Sequence, residues 1–399
     1  MLRTRSLENL NINPRLYSAF NILVSMKFVV SSALLAARLA TVGRVIVQKN
    51  NIPILDCFRF DIRGGKLSIM ASDGDSTLTS ELELNESDGE ALFAVNAKTL
   101  QDAIKEIPEQ PLEFYLNTDT LELVVDYQNG QYKLLAQAAD EYPTAPEGEG
   151  TMATISLSTH CLLGCLSRAL TAAANDELRP QLNTVCLSAR KGELTLVGTN
   201  GNQLAMTRLK MEGQEVEHDF LLGTRPAGLL RNMLAKEEGE ASLALGNSRA
   251  FIATQNYSLN CRLVDGRYPN FRGVIPQGNP YVVHLNRAAL ISVMRRILVF
   301  ANPATSVARF RLENNTLNLS SQDLDYGKSA EESMLCDYSG TPMRIAFKGV
   351  TLQDLVQNLE CENVIFEMAD PSRAALILPE KNEEGEEVVM LMMPSVFND

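Results

Sequence analysis

One pattern recurs three times along these 399 residues, at a period of roughly 125, and repetition at that length means three domains on one plan rather than a solenoid. Lys27–Val47, Thr154–Ala174 and Tyr281–Ala301 each read as a short alternating strand, a Ser, Thr or Asn in cap position, and a helix with apolar residues at helical spacing. After each comes a pair of alternating runs, residues 58–73, 185–200 and 308–323, broken at Gly64-Gly65, Lys191-Gly192 and Asn314-Asn315, which predicts a β-hairpin. Strand, cap and helix recur at Leu92–Ile107, Asp219–Ala235 and Met343–Leu359, so six copies of a strand–helix–hairpin plan are expected. The fold class is therefore α+β, with three repeated domains at 26–148, 151–276 and 280–399. Their joints are Ala145–Ala153, rich in Pro, Gly and Glu, and Pro276–Pro280. Residues 1–25 match nothing downstream, and Met26-Lys27-Phe28 looks like a natural beginning; we expect the preceding stretch to be a disordered extension or the product of an upstream start.

The net charge of −13 argues against a nucleic-acid partner only if charge is evenly spread. The expected helices, in windows 32–49, 96–107, 156–175, 224–236, 286–300 and 348–359, carry Arg38, Arg44, Lys49, Lys98, Lys105, Arg168, Arg225, Arg231, Lys236, Arg287, Arg295, Arg296 and Lys348. Against these thirteen stand Asp102, Glu106 and Asp354, so the helices sum to +10 and the remainder to −23. No carboxylate intervenes between Asp265 and Glu313. A basic surface shared by equivalent helices suits one polyanion; the plainer alternative is a set of solvated helix faces. With no RNA-recognition signature, helix-turn-helix, zinc finger or Trp, the expected contact is with phosphate, independent of base sequence.

Seven cysteines at 57, 161, 165, 186, 261, 336 and 361 are odd in number and scattered without a CxxC, which fits a reducing cytoplasm and indicates neither disulfides nor zinc. Cys161 and Cys165, beside His160, lie one helical turn apart and are expected as buried small apolar residues rather than metal ligands. Ala19–Ala40 is apolar after a basic start, as in a secretory signal that would lead an extracytoplasmic binding protein. Lys27 and Arg38 interrupt it, and no uncharged run reaches the ~18 residues a membrane span needs, so a strand at Lys27–Val30 and a helix from about Ser32 are expected. Asp73 and Asp75 could serve a metal-dependent nuclease, but their turn-rich setting predicts a hairpin end. Thr199-Asn200-Gly201-Asn202 lacks the Lys-Ser/Thr of a phosphate loop and reads as a turn. His160, His218 and His284 fit no hydrolase motif, so no catalytic constellation is expected.

Leu263-Val264-Asp265-Gly266-Arg267-Tyr268-Pro269, followed by Val274 and Pro276, resembles the LVDGR(F/Y)P segment of bacterial β sliding clamps. Asn51-Ile52-Pro53-Ile54-Leu55, Asp140-Glu141-Tyr142-Pro143, Val197–Ala205 and Leu391-Met392-Met393-Pro394 are similar to other segments of that family, and the likeness runs from Met26 to the end. The resemblance implies a non-catalytic subunit of the replicative polymerase holoenzyme, without cofactor or membrane. It implies a clamp fold in which two chains close head to tail as a ring, helices lining the hole and antiparallel sheets outside. Double-stranded DNA, the polymerase catalytic subunit, the clamp loader and repair proteins are the implied partners. The basic helix residues would then face DNA, with Lys49 and Arg179 matching by position residues that touch DNA in relatives. A pocket for short peptide motifs would be formed by Leu182, Thr199, Gly201, Leu204, Pro269, Val274, Ser372, Ala374, Met392, Met393 and Pro394. The subunit contact would pair Tyr132 and Leu134 with Val299 and Phe300. The chain departs from the family at Asn202 and Gln203, in place of His-Arg, at Gly273, where Arg is common, and at Pro180-Gln181, where some members have two aromatics.

Overall fold

The computed structural model describes residues 25–144, 150–176, 178–370 and 372–395; the expected extension ahead of residue 25 and part of the first joint lie outside the described residues. These residues form two compact bodies, one running to the first joint and including Asn256–Asn260, the other comprising the remainder. Among them are the α-helices α1 (Ser32–Val42), α2 (Ala97–Ile104), α3 (Thr159–Ala172), α4 (Thr224–Leu234), α5 (Arg287–Ile297) and α6 (Gly349–Gln357), one in each expected window.

Each helix begins where a strand ends, and capping explains the sharp change. The side chains of Ser31, Asn96, Ser158 and Asn286 accept hydrogen bonds from the backbone N–H of Leu34 (3.3 Å), Thr99 (2.9 Å), Cys161 (3.1 Å) and Ala289 (3.0 Å). Helices α4 and α6 depart from the plan: Gly223 and Lys348 hold the cap position without a side-chain cap bond. The first window overruns its helix most. Helix α1 stops at Val42, Gly43–Val45 forms a 3-10 turn, and Arg44 and Lys49 lie beyond α1.

The predicted hairpins pair Cys57–Arg63 with Lys66–Ser72, Thr184–Arg190 with Glu193–Thr199, and Val307–Glu313 with Thr316–Asp323. Two-residue turns need left-handed backbone, and Gly64 (φ 56°), Gly65 (75°), Asn314 (51°) and Asn315 (57°) supply it. Asp73 Oδ1 receives the N–H groups of Asp75 (3.1 Å) and Ser76 (2.8 Å), which makes that segment the expected hairpin end.

In the first body, one sheet runs Glu86–Ser87, Ser25–Ser31, Pro111–Asn117, Glu122–Tyr127, Gly130–Leu135 in spatial order, leaving Gly130–Leu135 at an edge. In the second body an eight-stranded antiparallel sheet unites the second and third repeats. At its centre Gln203–Lys210 pairs with Glu386–Met392, in register from Gln203 opposite Met392 to Leu209 opposite Glu386. A four-stranded sheet of the third repeat ends at the edge strand Lys328–Leu335. Helix α5 buries Leu290, Ile291, Val293, Met294 and Ile297 beside that sheet, worth roughly 10 kcal/mol of apolar transfer.

Arg168 corrects the expectation that it faces DNA. It shares the buried face of α3 with Leu162, Cys165, Ala169 and Ala172, and it is 5% exposed. Its guanidinium pairs with Glu386 of the third repeat, while its Nε donates to Thr207 Oγ1 (2.9 Å). Removing one member of a buried pair leaves the other uncompensated. Arg168→Ala should therefore cost about 3 kcal/mol or more in chemical denaturation, whereas Arg208→Ala, whose partners Glu193 and Glu387 are half-exposed, should cost less than ~1 kcal/mol.

Candidate functional site

The segment between Glu193–Thr199 and Gln203–Lys210 is a tightly bonded turn. Thr199 Oγ1 accepts from Gly201 N–H (3.1 Å) and donates to Gln203 O (2.5 Å), while Asn200 Oδ1 accepts from Asn202 (2.9 Å) and Gln203 (3.1 Å) N–H. Gly201, at φ 92°, occupies a backbone conformation that a β-carbon would strain. The chain leaving Glu386–Met392 is tied to the same turn, because Met393 N–H donates to Asn202 O (2.8 Å).

Beside the turn lies an apolar floor. Leu204, Tyr268, Phe271, Ala374, Leu376, Val389 and Leu391 are buried in one cluster, with Val264, Ile275 and Leu378 half-buried against it. Burial pushes the Tyr268 phenol well above its ordinary range, as suits a hydroxyl set in apolar surroundings beside Val197 O (3.5 Å). Asn279, buried, donates from its amide to both Glu367 O (3.0 Å) and Ala374 O (3.2 Å), and so pins the second joint to the floor. Above the floor, Val274 is 58% and Met393 38% exposed, and Gly201, Pro269 and Ser372 are exposed while Leu182 and Pro394 are half-buried. Backbone and side-chain bonds from Ser372 hold the Asp370 carboxyl below its usual range, in a turn at this rim.

Strand alternation corrects one of the expected residues. Met392 points to the opposite face, into the core of the third repeat with Val388 and Met390, while Leu391 and Val389 face the groove. Gln203, paired opposite Met392, shares that face: it is 8% exposed and its amide donates to Thr171 O on α3 (3.0 Å). In sequence Val388–Met392 is a continuous apolar run, buried on both faces, so no alternation separates Leu391 from Met392 and the partner strand decides which faces the groove. Arg179 is placed off the helices, at the groove: its Nε pairs with Asp176 (2.9 Å) and its Nη1 donates to Asn200 O (3.4 Å). Gln181 packs on Gly266 (φ 135°), where an added β-carbon would sit 3.0 Å from its side chain.

The remaining basic residues divide by what they touch. Arg44, Lys49, Lys98, Arg225, Arg231, Lys236, Arg295 and Lys348 are exposed, and Arg38 is half-exposed. Lys105 pairs with Asp102 (2.8 Å), and Arg296 with Glu332 and Ser292 Oγ (2.7 Å), which holds the Glu332 carboxyl below its usual range. Arg287 turns inward and donates to Val356 O (3.1 Å) and Gln357 O (3.0 Å), satisfying the carbonyl end of α6. Of the residues expected at a subunit contact, Tyr132 and Leu134 are half-buried on the edge strand Gly130–Leu135, and Val299 and Phe300 are 73% and 40% exposed. Sequence reasoning missed Leu135 and Leu335, exposed by 78% and 84% at the ends of the two edge strands.

Domain models of the DNA polymerase III beta subunit match the chain in three parts: N-terminal at 26–146, central at 156–270 and C-terminal at 272–393. A beta sliding clamp of Pseudomonas putida is 26% identical over 368 residues, covering 92% of this chain and 100% of the relative. One from Haemophilus influenzae is 24% identical over 367 residues, with coverage of 92% and 100%. Among solved structures, the DNA polymerase III beta subunit of Thermotoga maritima superposes with a TM-score of 0.83 at 26% identity, over 94% of this chain and 100% of that one. A Pseudomonas aeruginosa sliding clamp bound to griselimycin shares the fold, with a TM-score of 0.86 at 24% identity, over 94% and 100%.

The strand leading into the turn lies hard against α3: a β-carbon on Gly198 would fall 1.9 Å from Ala169 O. Gly198→Ala should lower stability by about 3 kcal/mol in urea titration, since a helix backbone cannot rotate away as a side chain can.

Proposed function

Because the chain belongs to the DNA polymerase III beta-subunit family, we propose that two copies close head to tail into a ring that encircles duplex DNA and slides along it. The subunit is non-catalytic, and its contribution to replication is processivity. A closed ring holds DNA by topology, so its phosphate contacts can be loose and indifferent to sequence. A polymerase bound to such a ring stays at high effective concentration near the primer end.

The observation that carries this reading is the distribution of charge. Exposed Lys98, Arg225, Arg231, Lys236, Arg295 and Lys348 lie on or beside the helices, in a chain whose total is −13. We assign these residues, with Arg38, Arg44 and Lys49, to the DNA-facing wall. The edge strands Gly130–Leu135 and Lys328–Leu335 support the head-to-tail contact, because an unpaired edge with apolar ends seeks another strand. The groove beside Gly201 and Leu204 supports docking of short linear motifs with Leu or Phe anchors, carried by the polymerase catalytic subunit, clamp loader and repair proteins. Domain limits at 26–148, 151–276 and 280–399 belong to the same proposal.

Loading on nicked circular DNA by the clamp loader, followed by linearisation, tests the topology. The protein should slide off the ends, and retention on linear DNA would sink the proposal. Charge reversal of Arg231, Lys236 and Arg295 should weaken DNA association with the fold intact. The slope of log affinity against log salt should become shallower by about 0.9 for every phosphate that the variant no longer neutralises. An unchanged slope would remove these helices from the DNA-facing wall.

A further inference from the structure

The edge strands Gly130–Leu135 and Lys328–Leu335 hold their charges in an unusual way. Lys133, the one charged residue of the first strand, pairs with Glu122 on the neighbouring strand (3.5 Å). On the other strand, Glu332 pairs with Arg296, Glu331 accepts from the Asn318 amide (2.7 Å), and Lys328 lies 5.3 Å from the centre of the Tyr326 ring. Every charged side chain on either edge therefore has a partner in its own chain.

What these edges offer to solvent is apolar. At the hairpin end that leads into Lys328–Leu335, Leu324 is 80% and Tyr326 74% exposed. The Asn302 amide donates to Asp323 Oδ1 (3.3 Å) and Asp325 Oδ2 (3.4 Å), which holds this hairpin end beside the exposed Val299 and Phe300. Four large apolar side chains thus share one end of the third repeat, a grouping that marks a contact surface rather than scattered exposure. The first repeat answers in kind, with Leu135 exposed and the Tyr127 and Tyr132 rings packed 5.0 Å apart.

We propose that the second copy closes on these edges by strand pairing and apolar contact, without an ion pair between subunits, Leu324 and Tyr326 of one copy packing against the Gly130–Leu135 edge of the other. This rests on the ring reading above and adds a regulatory property to it: salt that loosens DNA leaves the ring shut. An ion already paired in its own chain gains little by meeting another across the contact, since both must lose water again. Attraction between exposed charges fades as the screening length falls from about 10 Å at 0.1 M salt to about 3 Å at 1 M. Apolar burial does not fade with salt, and sulfate strengthens it. Phosphate contacts on the helices respond the opposite way, so at high salt the DNA would be held by topology alone.

Sedimentation of fluorescently labelled full-length protein, from nanomolar to micromolar, tests this at about 0.1 M and about 1 M sodium chloride. The dimer dissociation constant should stay within about threefold, where closure by ion pairs would weaken it by roughly tenfold or more. Lys133→Gln with Glu331→Gln should leave it equally unchanged, whereas Leu324→Ala with Tyr326→Ala should weaken the dimer about tenfold or more at both salt concentrations. Tenfold weakening of the parent protein by salt, or loss of the dimer in the Gln variant, would overturn the proposal while leaving the ring reading in place. A protein that remains monomeric at both salt concentrations would overturn the ring reading and this proposal together.

Discussion

The antiparallel ladder between Gln203–Lys210 and Glu386–Met392 is the interaction on which the second body depends. It turns two repeats into one sheet, and each face of that sheet then has a task. Leu204, Val389 and Leu391 floor the groove on one side, while Ala205, Val388, Met390 and Met392 fill the third repeat's core on the other. Arg168 and Glu386 lock one end of the seam, and the bond from Met393 to Asn202 closes the other. A slip of one residue along this ladder would exchange the two faces and abolish both groove and core.

Charge in this molecule is sorted rather than scarce. Thirteen basic residues fall in the helix windows, yet the structure uses several of them internally. Arg168 is buried in an ion pair, Arg287 satisfies helix carbonyls, and Arg296 and Lys105 are held by carboxylates on their own surface. The other exposed members lie on or just past α4, at the ends of α5 and α6, on α2 and just past α1. In the proposed ring, loose contact of this kind would suit a surface that holds phosphate without stopping on it.

Local features are legible in the sequence because local physics decides them. Asn314-Asn315 and Gly64-Gly65 announce their hairpins through the left-handed backbone they tolerate, and Ser31, Asn96, Ser158 and Asn286 announce helix starts through their side-chain oxygens. Helix ends are less legible: nothing in the apolar run Val45-Ile46-Val47 tells a continuing helix from an extended chain. The role of Arg168 is illegible, since its partner Glu386 lies 218 residues away. The groove is half legible. Of the motif residues, Leu204 and Ala374 lie in its floor cluster, but choosing Leu391 over Met392 requires knowing which face of the sheet each repeat covers.

The order of strands in the eight-stranded sheet has a consequence for how the chain is made. Gln203–Lys210 emerges from the ribosome more than a domain's length before Glu386–Met392, the strand that pairs with it. Throughout that interval the second repeat carries an open sheet edge and an apolar face without its cover, the kind of surface that invites pairing with the wrong strand. When Glu386–Met392 arrives it completes the groove and retires that sheet edge at the same moment.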